Sequence, residues 1–347
     1  MKKNLLISAI SALMLGGVAM HSVAAEPVLV PSGQVTADDV IKFKARQLPA
    51  RPKLGLALGG GGSRGAATVG VLEVLDKAGL RFDYIAGTSV GAIVGGLYDA
   101  GVPISELKNE FLTGRSMKKF TPIGFPQSLV LEPLLFTTPR LFGHHPYDGL
   151  YPGIFFRKYL TRLVPAESAQ IENLKIPFAA VSLNILDGKP YMIRGGSLVD
   201  AMRASSAVPG LRKPIELGKG LFVDGGVACN LPVKQCRDMG ADVVIGVNID
   251  EPWDIAPAKQ FRKIGSVTRR MVKWGLYDVD VPQEEIADIV IHPDASGVGL
   301  VTASKKAAHK AYEAGVVAAE AALPGIRAKL KQLGIQQTAA VVRETEQ

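Results

Sequence analysis

The sequence predicts an α/β fold, a mostly parallel central sheet held between helices in three layers. Two observations carry this expectation. Strand, turn and helix follow one another twice between residues 54 and 101, the pattern of a parallel sheet. Further on, Val243-Val244-Ile245-Gly246-Val247 is a β-branched run suited to a strand covered on both faces.

Taken in order, the first segment lies outside that fold. Lys2 and Lys3 precede an apolar run over 5–20, and Val23-Ala24-Ala25 offers small residues before Glu26-Pro27. This reads as a signal peptide, residues 1–25, cleaved after Ala25. The other reading is a membrane anchor, but the run is short of the roughly 20 strongly apolar residues a span needs. Such a leader fits a protein exported to a bacterial periplasm or secreted. Residues 26–50 are a polar lead-in bounded by prolines, and a catalytic domain is expected over 51–250.

Within that domain the spacing predicts a strand at 54–58 and a helix at 65–78. A strand at 82–86 and a helix at 90–100 follow. Strands at 177–185 and 190–193, a helix at 197–205, a strand at 221–223, a helix at 233–239 and a strand at 241–248 complete it. Residues 112–165 are rich in Gly, Pro and aromatics and read as irregular, either a lid or a packed surface insertion. A C-terminal α/β extension over 251–335 is expected to pack on the core, with helices at 260–274 and 305–322 and a strand at 286–291. The tail 336–347 reads as frayed.

The chain's 347 residues, 47% hydrophobic and 21% charged, suffice for one large domain. Its net charge of +8 falls to +6 once Lys2 and Lys3 are removed. That excess reads as diffuse: it favours anionic surfaces such as acidic headgroups and makes no case for nucleic acid. Two cysteines, Cys229 and Cys236, could be a disulfide or two buried thiols. Neither has metal-ligand spacing, so neither a metal nor a cofactor is expected.

Three motifs carry chemistry. Gly87-Thr88-Ser89-Val90-Gly91 is a G-x-S-x-G between a strand and a helix. A serine in such a turn holds its hydroxyl above the sheet, and the flanking glycines permit the tight bend. The following helix aims its N-terminal amides toward developing negative charge. The plainer account is a helix N-cap serine. Gly59-Gly60-Gly61-Gly62-Ser63-Arg64-Gly65 joins the first strand to the first helix. It fits a dinucleotide loop, but Ala86-Gly87 stand where that site needs an acid for the ribose. It also fits an oxyanion hole, which the serine turn after the next strand favours. Val223-Asp224-Gly225-Gly226 follows a short strand and on its own could be a simple turn.

Together these motifs resemble the patatin-like phospholipase family. Ala204 through Gly210 (ASSAVPG) and Asp224 through Val233 (DGGVACNLPV) agree with it, and the likeness covers roughly residues 54–250. The resemblance implies a patatin-like α/β/α fold and a Ser–Asp dyad with no catalytic histidine. Ser89 would be the nucleophile and Asp224 the general base. Gly60, Gly61 and Gly62 would form the oxyanion hole, and Arg64, Gly65, Gly87, Gly91, Gly225 and Gly226 would support the motifs. The activity implied is hydrolysis of lipid acyl esters, of phospholipase A or lysophospholipase type. A base paired directly to a serine needs a raised pKa, so Asp224 should be shielded from water.

Two rival readings remain. The order Ser89, Asp224, His292 matches an α/β-hydrolase triad. A non-catalytic lipid-binding module would keep the fold without turnover. For contact with a membrane or micelle surface the candidate is 112–165, with Lys118, Lys119 and Arg140 beside Phe120, Phe125, Leu134, Leu135, Phe136, Leu141 and Phe142. Those apolar residues could equally be core.

Overall fold

The computed structural model describes residues 26–28, 51–121 and 147–335. Its strands are β1 (Glu26–Val28), β2 (Leu54–Leu58), β3 (Tyr84–Thr88), β4 (Phe178–Asn184), β5 (Lys189–Ile193), β6 (Ile215–Leu217), β7 (Gly220–Asp224), β8 (Val243–Val247) and β9 (Ile289–Ile291). They form one sheet in the order β1-β5-β4-β3-β2-β8-β9, with β7 on β4 and β6 on β7. From β4 through β3, β2 and β8 to β9 every pairing is parallel, while β5, β6 and β7 enter antiparallel. The predicted α/β class and mostly parallel sheet are therefore observed.

The helices are α1 (Gly65–Lys77), α2 (Val90–Asp99), α3 (Ile104–Leu112), α4 (Arg115–Phe120), α5 (Ile154–Leu163), α6 (Leu198–Ser205), α7 (Val233–Asp238), α8 (Ser266–Glu285) and α9 (Lys305–Gln332). Side chains alternate across a strand, so each inner strand serves two cores. Leu54, Leu56, Leu58 and Ile85 pack with α1, α2, α6 and α9 on one face. Ala57, Tyr84, Ala86 and Val244 pack with Leu231, Val233 and Cys236 on the other. The small residues on this second face let α7 lie close to the sheet. On the first, α1 and α9 touch backbone to backbone: a Cβ on Gly70 would come 2.3 Å from the Tyr312 carbonyl, and one on Gly315 would come 2.1 Å from that of Ala67.

Several elements differ from the sequence expectation. Residues 112–165 contain regular structure at both described ends, α4 and α5. Phe120 is buried, with Phe156 edge-on at 5.2 Å and the Arg212 guanidinium over its ring. Residues 122–146, with Phe125, Arg140 and the remaining apolar candidates, lie outside the described residues, as do 1–25, 336–347 and, of the expected lead-in, 29–50. The helix expected at 260–274 begins at Ser266 and runs to Glu285, after a short 3-10 turn at Ala258–Arg262. The last helix continues past Pro324 to Gln332. Beyond residue 251, β9 hydrogen-bonds to β8 and α9 covers α1, so this part completes the same sheet and core. Among the described residues no helix is long and apolar enough to cross a membrane.

Candidate active site

The site arises where two strands end head to head beside β4. β3 runs parallel to β4, pairing Thr88 with Val181. β7 runs antiparallel to β4, pairing Asp224 with Ser182, the very next residue. The C-terminal ends of β3 and β7 thus meet, bringing together residues 135 positions apart: Ser89 Oγ donates to Asp224 Oδ2 at 2.6 Å.

Ser89 sits on a strained backbone with φ 52° and ψ −121°, and it is the one non-glycine with positive φ among the described residues. The turn is held by contacts that its glycines permit. A Cβ on Gly91 would lie 2.2 Å from the Leu58 carbonyl, and one on Gly87 would lie 2.6 Å from the Ala92 amide. The Ser89 amide donates to Ser205 Oγ at 2.9 Å, and that hydroxyl donates onward to the Val181 carbonyl. Such strain persists only where the surroundings over-determine it. Asp224 is fixed just as firmly. Its amide donates to the Ala207 carbonyl, and its Oδ1 accepts the Gly226 amide at 2.8 Å. Gly225 lies so close to β4 that a Cβ would meet the Val181 carbonyl at 2.3 Å. The segment over 204–210 therefore has a physical role, since Ser205 clamps the serine turn and Ala207 clamps the aspartate.

The glycine loop passes beside Ser89: a Cβ on Gly60 would lie 3.3 Å from that of Ser89. Its amides are not equivalent. Gly59 donates to the Val247 carbonyl at 2.9 Å and Gly60 to the Asn230 carbonyl at 3.1 Å. The Gly61 and Gly62 amides have no acceptor among the described residues. Of the three glycines predicted as oxyanion donors, Gly60 is thus already committed, because its amide ties the loop to the Asn230 turn. Arg64 is buried and holds the loop's far end. It donates to Asp250 Oδ1 at 2.8 Å and to the Val298 carbonyl at 2.8 Å, and reaches Glu251 at 3.0 Å. Gly65 opens α1 against Val90, whose Cγ2 leaves no space for a Cβ.

Sequence reasoning missed the polar network behind this loop. Asn230 Nδ2 donates to Asp250 Oδ2 and to Asp280 Oδ2, each at 2.9 Å, and Asp280 Oδ1 accepts the Leu231 amide. Asp250 pairs with the buried Arg64, and its charge acts on the buried carboxylates of Asp224 and Asp280. Burial, with repulsion from Asp250, pushes Asp224 up to about 6, against the Ser89 hydroxyl and the Gly226 amide, which favour the anion. Burial likewise raises Asp250 to about 6 despite Arg64, and holds Asp280 well above the carboxylate range. As expected for a base beside serine, Asp224 is only 6% exposed, and Ser89 is 8% exposed.

His292 lies elsewhere. It follows β9, three strands from β3 and hence about 14 Å away at the usual strand spacing. It faces Glu284 at 3.8 Å, and burial lowers its pKa. With Asp224 bonded directly to the serine hydroxyl, no imidazole stands between them. Cys229 and Cys236 are buried free thiols. The Cys229 carbonyl accepts from the Thr88 hydroxyl, next to the serine turn.

Fold and site together define an α/β protein that bears a strained serine turn bonded to an aspartate and flanked by a glycine loop. The chain belongs to the patatin-like phospholipase family, whose model matches residues 56–237. It is 32% identical over 198 residues to human patatin-like phospholipase domain-containing protein 6, covering 56% of this chain and 13% of that protein. It is 32% identical over 204 residues to lysophospholipase NTE1 of Debaryomyces hansenii, covering 59% of this chain and 12% of that one. An uncharacterized NTE family protein of Mycobacterium tuberculosis matches at 33% over 201 residues, 57% of this chain and 49% of its own. The chain thus spans about an eighth of the first two and half of the third. Among solved structures, VipD of Legionella pneumophila superposes with a TM-score of 0.45 at 15% identity, over 79% of this chain and 67% of VipD.

Proposed function

We propose that this chain is a serine hydrolase of lipid acyl esters, of phospholipase A or lysophospholipase type, working through a Ser89–Asp224 dyad. The observation that carries the reading is the 2.6 Å bond from Ser89 Oγ to a buried carboxylate, beside a loop with two uncommitted amides. Asp224 takes the hydroxyl proton as Ser89 Oγ attacks the ester carbonyl. The tetrahedral oxyanion is stabilised by the Gly61 and Gly62 amides, which need no reorganisation when charge develops. As the C–O bond breaks, Asp224 returns the proton to the leaving alcohol, which departs as a lysolipid or glycerol derivative. Water then attacks the acyl-enzyme with Asp224 again as base, releasing the fatty acid and restoring Ser89.

Every step uses the carboxylate as base and then as acid. Burial raises its basicity, and a raised pKa nearer the working pH suits that double duty. Membership in the family supports a lipid substrate, and the names of the human and yeast relatives point the same way. The decisive experiment incubates purified protein with phosphatidylcholine, lysophosphatidylcholine and triacylglycerol, and identifies products by mass spectrometry. Fatty acid should be released by the native protein and absent with Ser89→Ala. Equal release by both proteins would overturn the reading. The leader reading adds a second proposal, an exported mature chain beginning at Glu26. N-terminal sequencing of the protein recovered from the periplasm or the medium tests it.

A further inference from the structure

The outward face of α8 carries apolar residues where a surface helix ordinarily carries polar ones. Val267, Met271 and Trp274, spaced i, i+4, i+7, share one face and are 57%, 46% and 46% exposed, with Tyr277 on its flank. The segment leading into the helix extends the surface: Ile255 and Ile264 are exposed, and Trp253 stacks near Tyr277 at 5.9 Å, with the Arg270 guanidinium 3.6 Å from its ring centroid. Both tryptophans of the chain stand here.

The charge excess that composition suggested was diffuse is concentrated at this surface. From Ile255 to Tyr277 there are six Lys and Arg and no Asp or Glu. Arg270 and Lys273 both pair with Asp254, and Lys273 also reaches Glu251. Lys259, Arg262, Lys263 and Arg269 make no ion pair among the described residues. Apolar and aromatic side chains interspersed with free cations match the boundary of an anionic bilayer, where tryptophan takes the interfacial level and lysine and arginine meet headgroups.

The opposite face of this helix is bound to the site. Leu276 lies 3.6 Å from where a Gly226 Cβ would be, and Asp280 accepts from Leu231 and Asn230 behind the glycine loop. Val227, next in the turn after Asp224, is exposed.

We propose that α8 and residues 253–264 form the surface by which the protein docks on anionic membranes, laying the Asp224 turn toward the lipid. The proposal rests on the lipid-hydrolase reading for its purpose, but its test does not use turnover. Protein carrying Ser89→Ala is mixed with vesicles of pure phosphatidylcholine, or of phosphatidylcholine with 30% phosphatidylglycerol as a chosen composition (~30%, an anionic fraction sufficient for a strong surface potential). Binding is read by co-sedimentation and by tryptophan emission.

Binding to the anionic vesicles with a blue-shifted emission is expected, and weak binding to the neutral ones. Met271→Ser with Trp274→Ser should lower affinity at least about tenfold, as should Lys259, Arg262, Lys263 and Arg269 together changed to Gln, with the thermal transition unchanged. The same two sets of changes in the Ser89 background should leave hydrolysis of a short soluble ester intact. Equal binding by all three proteins would overturn the proposal. So would an absence of binding accompanied by self-association in the ultracentrifuge, which would assign the face to a second copy of the chain. Failure of ester hydrolysis with normal vesicle binding would sink only the enzymatic reading.

Discussion

Ser89 and Asp224 are joined by one short hydrogen bond because two strands of opposite direction end against consecutive residues of a third, Val181 and Ser182. With no residue between the proposed nucleophile and its proposed base, the two should act as a unit. Ser89→Ala and Asp224→Asn should each reduce kcat on a soluble ester by at least about a thousandfold, and the double variant should lose little more. Single and double kinetics check this, with circular dichroism to verify folding. Activity within tenfold of wild type in either single variant would exclude the dyad.

The pH profile follows from the buried carboxylate. Asp224 is raised from an ordinary 3.8 to about 6, chiefly by burial and further by Asp250. A base must be ionised, so kcat/KM should fall as pH drops through about 6. Asp250→Asn should move that limb to lower pH by removing the neighbouring charge. The folded state holds this proton more tightly than the unfolded chain between about pH 4 and 6, so the group's contribution to stability declines as pH rises through that window. Thermal melts of wild type and Asp224→Asn across the range should converge at the acid end. An Asp250→Asn profile identical to wild type would deny the coupling.

Much of this site is legible in the sequence, for a physical reason. The serine turn, the glycine loop and the Asp-Gly-Gly turn are local structures whose glycines are demanded by close backbone contacts, so their spelling is constrained residue by residue. Asn230, Asp250 and Asp280 escape such reading because they come from a turn, a strand end and a distant helix, and only folding brings them together. The Gly60 amide escapes for the same reason, since its acceptor is the carbonyl of Asn230. The start of α8 is misread because its apolar residues face outward, which denies periodicity its usual meaning. Helix α9, expected to end at 322, runs on through Pro324, ordinarily a helix breaker, because its packing on α1 holds it.

Arg64 is buried among Asp250, Glu251 and the Val298 carbonyl. Arg64→Ala strands the Asp250 charge and should destabilise the fold by about 3–5 kcal/mol. Arg64→Lys keeps the charge but loses the forked geometry, so it should recover part of the stability and less of the activity. Denaturant unfolding and ester kinetics on the two variants separate these effects. An Arg64→Ala protein as stable as wild type would remove the anchoring role.

His292→Ala should retain most of the ester activity, because the imidazole lies with Glu284 beyond β9 and not at Ser89. A collapse of kcat with an unchanged thermal transition would restore the triad reading.

The glycine loop offers the sharpest comparison, since neighbouring positions should fail in different ways. Gly60 has its amide bound to Asn230, and a Cβ there would press on Asn230 Oδ1 at 2.3 Å. Asn230 is itself pinned by Asp250 and Asp280, so it has no room to yield. Gly60→Ala should therefore appear first as lost stability. At Gly61 the amide is uncommitted, but φ is +148°, where an L side chain is strained, and a Cβ would meet Cγ1 and Cδ1 of the buried Ile249 at 2.8 Å. Gly61→Ala should also lower Tm, and in the folded fraction it should turn the amide away from the developing oxyanion. Its kcat should fall by roughly a hundredfold or more, with KM changed far less, as for loss of one oxyanion donor. Labelling of Ser89 by an alkyl fluorophosphonate passes through a similar charged geometry and should slow in parallel. Wild-type kcat and labelling rates in a folded Gly61→Ala protein would assign the oxyanion to other donors.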